Sequence, residues 1–358
     1  MEMKNWFECW NEEKKIRKAI DPKKICTFGI APLDDALIGM LKNDLIVIGA
    51  DTGVGKSDLC LNIALHNASQ GKKVGLYYIE GGANEAIARI KWKFLCDKYY
   101  TSGLTGVDMD YRKWRMNLLD SENLDKLELE CILEMEHKLK DNLDIYSFEK
   151  DFKIINLEQS LGWFTHKELN KEVALWETKV DVDLIIIDHL QYFSLDNPKN
   201  EFQEVSQIVK KVKEITQFYN VPVILVSHLR KKDKDRGLPS VTDFFGTSNI
   251  GNICSVGITL CPNFSQDRHE EQLYPTFFRF VKSRTGLRSN MAMSCNYDLR
   301  RGKYEDNYVV YSLWGDNPLK ESMTYQQCPR WAQARMRAVP KPVEQTPKES
   351  QKEMEWNE

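Results

Sequence analysis

The apolar positions of the chain fall into short continuous runs separated by stretches with helical spacing. Runs at 45–49, 74–79, 143–147, 183–188, 221–227 and 255–260 are dominated by Val, Ile and Leu, as in strands buried on both faces. Between most of them the apolar residues recur every three or four positions, at 57–67, 84–98, 157–177 and 201–219, which predicts helices. Alternation of this kind predicts an α/β fold whose mostly parallel central sheet carries helices on both faces. After residue 260 the pattern changes. Segments 276–282, 289–296 and 305–313 are strand-like, with short gaps punctuated by Gly286 and Gly302. They predict antiparallel hairpins appended at the C-terminal side of the parallel sheet.

Three segments stand outside this alternation. Residues 1–22 read as one helix, with Trp6 four positions from Trp10, Ile16 four from Ile20, and Pro22 closing it. So short a helix cannot bury its stripe alone and is expected to pack on the body or on a neighbouring subunit. A helical insertion, about 101–142, separates the second and third strands and carries the stripe Leu124, Leu127, Cys131, Met135 and Leu139. From residue 322 the periodicity is lost, and Pro340, Pro342 and Pro347 lie among Lys and Glu, which reads as a disordered tail open to a partner. The resulting plan is a docking or linker helix (1–23), one large domain (24–321) and a charged tail (322–358).

Composition narrows the class. The 358 residues are 42% hydrophobic, too apolar for a disordered chain. Nine dispersed cysteines have no zinc-knuckle or disulfide-framework spacing and suit a reducing compartment. The longest apolar runs are far too short to span a membrane, and the N-terminus does not resemble a signal peptide, so a soluble cytoplasmic protein is expected. A formal charge of -3 argues mildly against nucleic acid, but its distribution changes that picture. Residues 120–153 hold 11 acidic and 5 basic side chains, which reads as a solvated helix face. Residues 230–236 hold five basic and two acidic ones, Arg230, Lys231, Lys232, Lys234 and Arg236 being the cations. That segment is either a wet surface turn or a loop that grips nucleic-acid phosphates.

The strongest chemical signal is Ala50, Asp51, Thr52, Gly53, Val54, Gly55, Lys56 and Ser57, a phosphate-loop pattern with Ala in place of the first Gly. It follows a strand and opens a helix, the context the mechanism requires. Its backbone N–H groups and the helix N-terminus would wrap nucleotide phosphates, Lys56 would reach the β- and γ-phosphates, and the Ser57 hydroxyl would ligate Mg²⁺. The run ending in Asp188 places a carboxylate where it can hold a Mg²⁺-bound water. Glu80 ends a strand just before Gly81 and Gly82; it is either a solvent-facing turn residue or the base that polarises an attacking water. His228 ends another strand and is either structural or in contact with the γ-phosphate. Lys282 and Arg284 enter a turn, either as a wet strand-end pair or as cations for a transferred phosphoryl group.

Taken in order, these features resemble the RecA-like P-loop NTPase motor domain of DnaB-type hexameric replicative helicases, nearest to the phage and mitochondrial Twinkle-like branch. The match rests on the 50–57 loop, on Tyr77, Tyr78, Ile79 and Glu80 with Glu85 and Arg89, and on the 184–191 run ending Asp188, His189, Leu190, Gln191. It rests further on the 221–229 run through His228 with Thr242 and Asp243, and on Lys282, Ser283, Arg284, Thr285 and Gly286. The resemblance covers about 24–315 and includes the Ala at the loop's start, which is usual in that family. It implies ATP and Mg²⁺ as ligands, Glu80 as catalytic base, His228 as γ-phosphate sensor, and Lys282 and Arg284 acting on a neighbouring subunit's nucleotide. It also implies a homo-hexameric ring around single-stranded DNA held by the 230–236 loop, with a primase or loader as a partner through the tail. Two departures stand out. His189 replaces the Tyr of the DnaB pattern, and Phe244, Phe245 and Gly246 follow Asp243 where an Arg is common. Adjacent aromatics such as Phe244 and Phe245 suit core packing better than base stacking. With 23 residues before the match, no collar or primase domain is expected ahead of it. The rival readings are a RecA/RadA-like recombination ATPase and a nucleotide-dependent loader.

Overall fold

The computed structural model describes residues 5–119, 122–147, 152–163, 165–170, 175–230, 238–245, 249–262, 273–284, 290–313 and 322–338. Its strands are β1 (Leu45–Ala50), β2 (Val74–Tyr78), β3 (Leu143–Tyr146), β4 (Thr165–Asn170), β5 (Leu175–Val180), β6 (Leu184–Asp188), β7 (Val223–His228), β8 (Val256–Pro262), β9 (Leu273–Ser283), β10 (Met291–Asp298) and β11 (Lys303–Ser312). Its helices are α1 (Trp6–Ala19), α2 (Ala31–Leu37), α3 (Lys56–Ser69), α4 (Gly82–Thr101), α5 (Tyr111–Arg115), α6 (Glu122–Leu139), α7 (Ile154–Trp163), α8 (Glu201–Tyr219), α9 (Ile250–Ile253) and α10 (Arg330–Ala338).

Nine strands form one sheet in the order β11-β10-β9-β8-β1-β7-β6-β2-β3. The six from β8 to β3 are parallel, and β9, β10 and β11 continue the sheet antiparallel. This is the parallel core with appended hairpins that the hydrophobic pattern implies. Every residue of β1, β2 and β6 is buried, because alternate side chains enter opposite cores. Ile46 and Ile48 pack with Leu59 and Ile63 of α3 on one face, and Leu45 and Val47 pack with Val209 and Val212 of α8 on the other. Helix α8 supplies its face through Val205, Ile208, Val209, Val212 and Ile215, spaced three to four apart. It ends where Asn220 takes the left-handed conformation, at φ 54°. Phe244 is fully buried, so it fills core.

Three segments differ from the sequence reading in instructive ways. The helix expected over 157–177 ends at Trp163, and β4 and β5 follow as a separate antiparallel hairpin. Thr165–Asn170 holds a single apolar residue, Leu169, so a continued helix would have had no stripe to bury. The tail is ordered at its start. Ser322 bridges to Tyr311, Cys328 and Ala332 are buried, and Arg335 of α10 pairs with Asp35 of α2 at 2.6 Å. These partners lie roughly 300 residues apart in sequence, so local periodicity could not reveal them; residues 339–358 lie outside the described residues. Helix α1 is capped by a reciprocal Asn5–Glu8 pair yet buries no side chain, and Trp6 and Trp10 are 76% and 60% exposed.

Candidate nucleotide site

Strand register brings the candidate residues together. His228 lies abreast of Ala50 on the β7–β1 pair, and Asp188 lies abreast of Tyr78 on β6–β2, two residues before Glu80. The C-terminal ends of β1, β7, β6 and β2 therefore converge on one crevice, the place where open parallel sheets bind ligands. The loop after β1 turns there through Gly53 and Gly55, whose φ angles of 79° and 89° favour glycine. Beyond their chain neighbours, nothing stands within 4 Å of where a Cβ would project from either, so the space beside both glycines is open. Gly55 then caps α3, and Lys56 and Ser57 occupy its first turn.

The charges at this end of the sheet are buried and incompletely matched. Lys56 is 6% exposed and donates to the carbonyls of Asp51 at 2.7 Å and Ala50 at 3.4 Å. Burial lowers its pKa, opposed by Asp188 and Glu80. Asp188 is fully buried, and although the Ser57 hydroxyl faces it, neither carboxylate oxygen has a hydrogen bond of good geometry. Burial pushes this carboxyl up to about 6, with the charge of Glu80 adding to the rise and Ser57 and Lys56 opposing it. An orphaned buried carboxylate beside a hydroxyl fits a hydrated Mg²⁺, which takes one or two protein oxygens and completes its shell with water and phosphate. Among the described residues no group of three or more His, Cys, Asp or Glu side chains converges into a preformed metal cage.

The residues flanking Asp188 form a compact polar cluster. His189 is 2% exposed, and its Nε2 lies 3.4 Å from an oxygen of Glu80. Its ring meets that of His228 edge to face, with centroids 4.3 Å apart. Burial, with His228 and Lys56 nearby, pushes the His189 pKa down to about 3. Tyr192 donates to Glu80, and the Thr52 hydroxyl lies 3.4 Å from His228 Nδ1. Burial and then Lys56 also lower the pKa of His228. Gln191 ties the end of β6 to Ser227 and His228 of β7. Gln191 entered the sequence reading only as the last residue of the matched 184–191 run, and Tyr192 not at all; the available signal was their place directly after a buried strand ending in Asp. Glu85 and Arg89 pair at 2.8 Å on α4, and Tyr111 of the insertion reaches Glu85 at 3.4 Å.

Two groups of candidates lie elsewhere. Antiparallel β9 ends opposite the start of β8, with Ser283 abreast of Val256. Lys282 and Arg284 are thus at the far end of the sheet from their own phosphate loop, separated by the length of β1, ~16 Å at the usual strand rise. There Lys282 Nζ donates to Asn252 O at 2.9 Å, and the Arg284 backbone N–H donates to Ser255 O at 3.1 Å. Of the basic loop, Arg230 is described; Lys231, Lys232, Lys234 and Arg236 lie outside the described residues. Both ends of that loop are anchored. The Arg230 N–H donates to Asp243 O at 2.7 Å, and Arg279 of β9 donates to Leu238 O and Pro239 O at 3.2 and 3.1 Å. A cavity of about 930 Å³ lies between α3, α4, α6 and the β10–β11 turn. Its lining mixes Lys93, Lys98 and Arg301 with Asp97, Glu134 and Asp306, so it lacks the one-signed character of a phosphate site.

The model of the DnaB-like helicase C-terminal domain matches residues 26–301, more than half of the chain. The chain belongs to this family. This DnaB-like domain is 24% identical over 228 residues to the probable plasmid replicative DNA helicase of Chlamydia muridarum (strain MoPn / Nigg), covering 62% of the chain and 44% of the relative. It is 25% identical over 273 residues to the probable replicative DNA helicase of Trieres chinensis, covering 72% and 52%. The chain thus spans about half the length of the curated relatives it matches. Among solved structures, an isolated ATPase domain aligns with a TM-score of 0.66 at 17% identity, covering 85% of this chain and 99% of that one. A DnaB-like replicative helicase, determined with its interactions with primase, aligns at 0.64 and 16%, covering 85% and 67%. At these identities the structural matches establish the RecA-like fold of the DnaB-like domain. No helix among the described residues is long and apolar enough to cross a membrane.

Proposed function

We propose that the chain is the ATP-hydrolysing motor of a DnaB-type replicative DNA helicase, working as a homo-hexameric ring on single-stranded DNA. The observation that carries this is the convergence of the open phosphate loop, Lys56, Ser57, orphaned Asp188 and Glu80 at one end of the sheet. Loop N–H groups and the N-terminus of α3 would hold the phosphates, with Lys56 leaving the carbonyl oxygens of Ala50 and Asp51 for the β- and γ-phosphates. Ser57 and Asp188 would hold Mg²⁺, which supplies charge neutralisation to the phosphates when bound. Glu80 would accept a proton from the attacking water, and His228, beside the loop, would contact the γ-phosphate.

The remainder of the reading concerns assembly. Lys282 and Arg284, a strand's length from their own loop, would act on a neighbour's nucleotide instead, and Arg284 would stabilise charge on the transferred group. The exposed apolar side of α1 suits docking on an adjacent copy. The basic residues Arg230, Lys231, Lys232, Lys234 and Arg236 would hold the DNA backbone, independent of sequence. Ordering of 322–338 narrows the expected primase or loader contact to residues 339–358. We place the protein in the cytoplasm of a bacterium or of a phage-infected host.

The test combines ATPase measurement with and without single-stranded DNA and strand displacement on a forked duplex. DNA-stimulated hydrolysis with displacement is expected. Stimulated hydrolysis without displacement would favour a RecA/RadA-like ATPase, and hydrolysis indifferent to DNA would favour a loader.

A further inference from the structure

The cavity of about 930 Å³ between α3, α4, α6 and the β10–β11 turn has sorted charges. Along the wall made by α4, α6 and the turn, cations gather two to a carboxylate. Asp97 takes Arg301 at 2.7 Å and Lys303 at 2.6 Å. Glu134 takes Lys138 at 2.6 Å and Lys98 at 3.6 Å, with Glu130 also 3.1 Å from Lys98. Farther along β11 the lining turns acidic, at Glu305 and Asp306. Leu65, Phe94 and Tyr304, each only partly buried, add apolar surface to the lining. The acidic side is also where α10 delivers the chain. Arg335 and Tyr308 both bond Asp35 of α2, and Tyr308 directly follows the lining residue Asn307. The charge of Arg335 is drawn to Asp306 as well. Ala338, the last described residue, stands three positions further along the same helix, ~4.5 Å of axial rise. Twenty residues follow it, enough for ~66 Å of extended chain. Their charges are sorted too. Lys341 is the first ionisable residue after α10, and from Glu353 onward the ionisable residues are acidic, Glu353, Glu355 and Glu358 around Trp356.

We propose that this cavity is the docking site of the chain's own segment 353–358, with Trp356 on the Leu65, Phe94 and Tyr304 surface and the glutamates against the cationic wall. An aromatic anchor ringed by charge-matched groups combines packing with register. Entering beside Glu305 and Asp306, the chain brings a cation first and its carboxylates last. The wall cations Lys98, Lys138, Arg301 and Lys303 are 30% to 52% exposed, so each contact is screened and weak. Tethering sustains the docking. A site joined to its ligand by so short a stretch of chain meets it at a roughly millimolar effective concentration, so an affinity of only ~0.1 mM keeps about nine chains in ten docked. A partner that captures the tail has to draw it out of the cavity, and the two contacts exclude one another.

The test uses the full chain, half of it ¹⁵N-labelled and mixed with unlabelled protein, treated with a carbodiimide that joins a carboxylate to a lysine amine where the two touch. Glu353, Glu355 or Glu358 should be joined to Lys98, Lys138 or Lys303, in peptide pairs that are wholly light or wholly heavy. A second measurement follows amide hydrogen exchange in segments 94–101 and 299–303. The combined substitution Glu353→Gln, Glu355→Gln, Glu358→Gln should speed exchange there by up to ~10-fold, the ratio set by the docked fraction, and Trp356→Ala should act in the same direction. These substitutions leave every wall residue intact, so a change there does not come from a misfolded wall. Light-to-heavy pairs would assign the cavity to another copy's tail and overturn the proposal. Tail carboxylates joined to none of the three lysines, or wall exchange unmoved by the triple substitution, would overturn it as well.

Discussion

The two ends of the sheet handle charge in opposite ways. At the phosphate-loop end, Asp188 and His189 are buried with side-chain atoms left unpartnered, and Lys56 is bonded to carbonyl oxygens alone. At the far end, Lys213 and Lys282 are each satisfied by backbone carbonyls, those of Asn43 at 2.6 Å and Asn252 at 2.9 Å. Asp44 faces both Lys213 and Arg284 there, while the two cations repel each other. An unsatisfied buried end is built to be completed by a ligand. A satisfied, accessible end is built to be presented. In a ring, presenting one end to the next copy's unsatisfied end makes every site a joint product of two copies.

The largest effect should come from emptying the unsatisfied end. Lys56→Ala is expected to abolish measurable ATP hydrolysis while leaving circular dichroism unchanged; ordinary turnover would remove the assignment of the loop. At the presented end, Arg284→Ala should lower kcat by ~10³-fold, as for other cations acting in trans. Mixing it with Glu80→Gln subunits should restore activity at interfaces that pair the two intact residues. Absence of rescue at every mixing ratio would place Arg284 outside the neighbour's site.

A stability measurement separates the ends more gently. Burial pushes both Asp188 and Asp34 up to about 6, above the ordinary carboxylate value, so the folded chain binds more protons than the unfolded one between about pH 4 and 6. Their contribution is therefore present at low pH and lost as pH rises through that window. Buried His189 and partly buried His228 and His66, whose pKa values are lowered, act in the opposite direction, so the carboxylate effect is read as the melting-temperature gain from Asp188→Asn, which should be larger near pH 7 than near pH 5 in scanning calorimetry. Asp188→Asn should recover on the order of 3 kcal/mol at most at pH 7, a rise of a few degrees. A melting temperature unaffected by that substitution would contradict the picture of an electrostatically costly crevice. The smallest effect belongs to Arg335→Ala on α10, which removes a partly exposed ion pair worth under about 1 kcal/mol. Proteolysis after residue 321 should quicken slightly, and an unchanged rate would assign the docking of α10 to Ala332 and Cys328 alone.

What was legible in the sequence follows from what is local. The six parallel strands and the helices packed on them were visible because burial on both faces forces apolar runs that periodicity detects. The phosphate loop was visible because its glycines, Lys56 and Ser57 must be contiguous. Glu80 and His228 could be placed at strand ends, but only the β2–β6 and β1–β7 registers put them in one crevice. The contacts of Gln191 around His189 were beyond reach, since they join a backbone N–H and a hydroxyl on another strand. The β4–β5 hairpin was misread because Leu169 and Trp176, seven residues apart, mimic two helical turns. Helix α10 was missed because its partner, Asp35, stands at the other end of the chain.

The last hairpin sets a practical limit on how this protein can be cut. The family match closes at residue 301, inside the turn between β10 and β11. Beyond that point Gly302 accepts from Lys93 at 2.8 Å, Lys303 pairs with Asp97 at 2.6 Å, and Tyr304 packs against Phe278 and Tyr297. Tyr297 in turn donates to Asp58, in the first turn of the phosphate-loop helix. Expression truncated at the family boundary would strip β11 from the sheet and leave β10 as a bare, hydrogen-bonding edge. Such a fragment should enter inclusion bodies or self-associate through that edge, whereas one ending at 338 should remain dispersed.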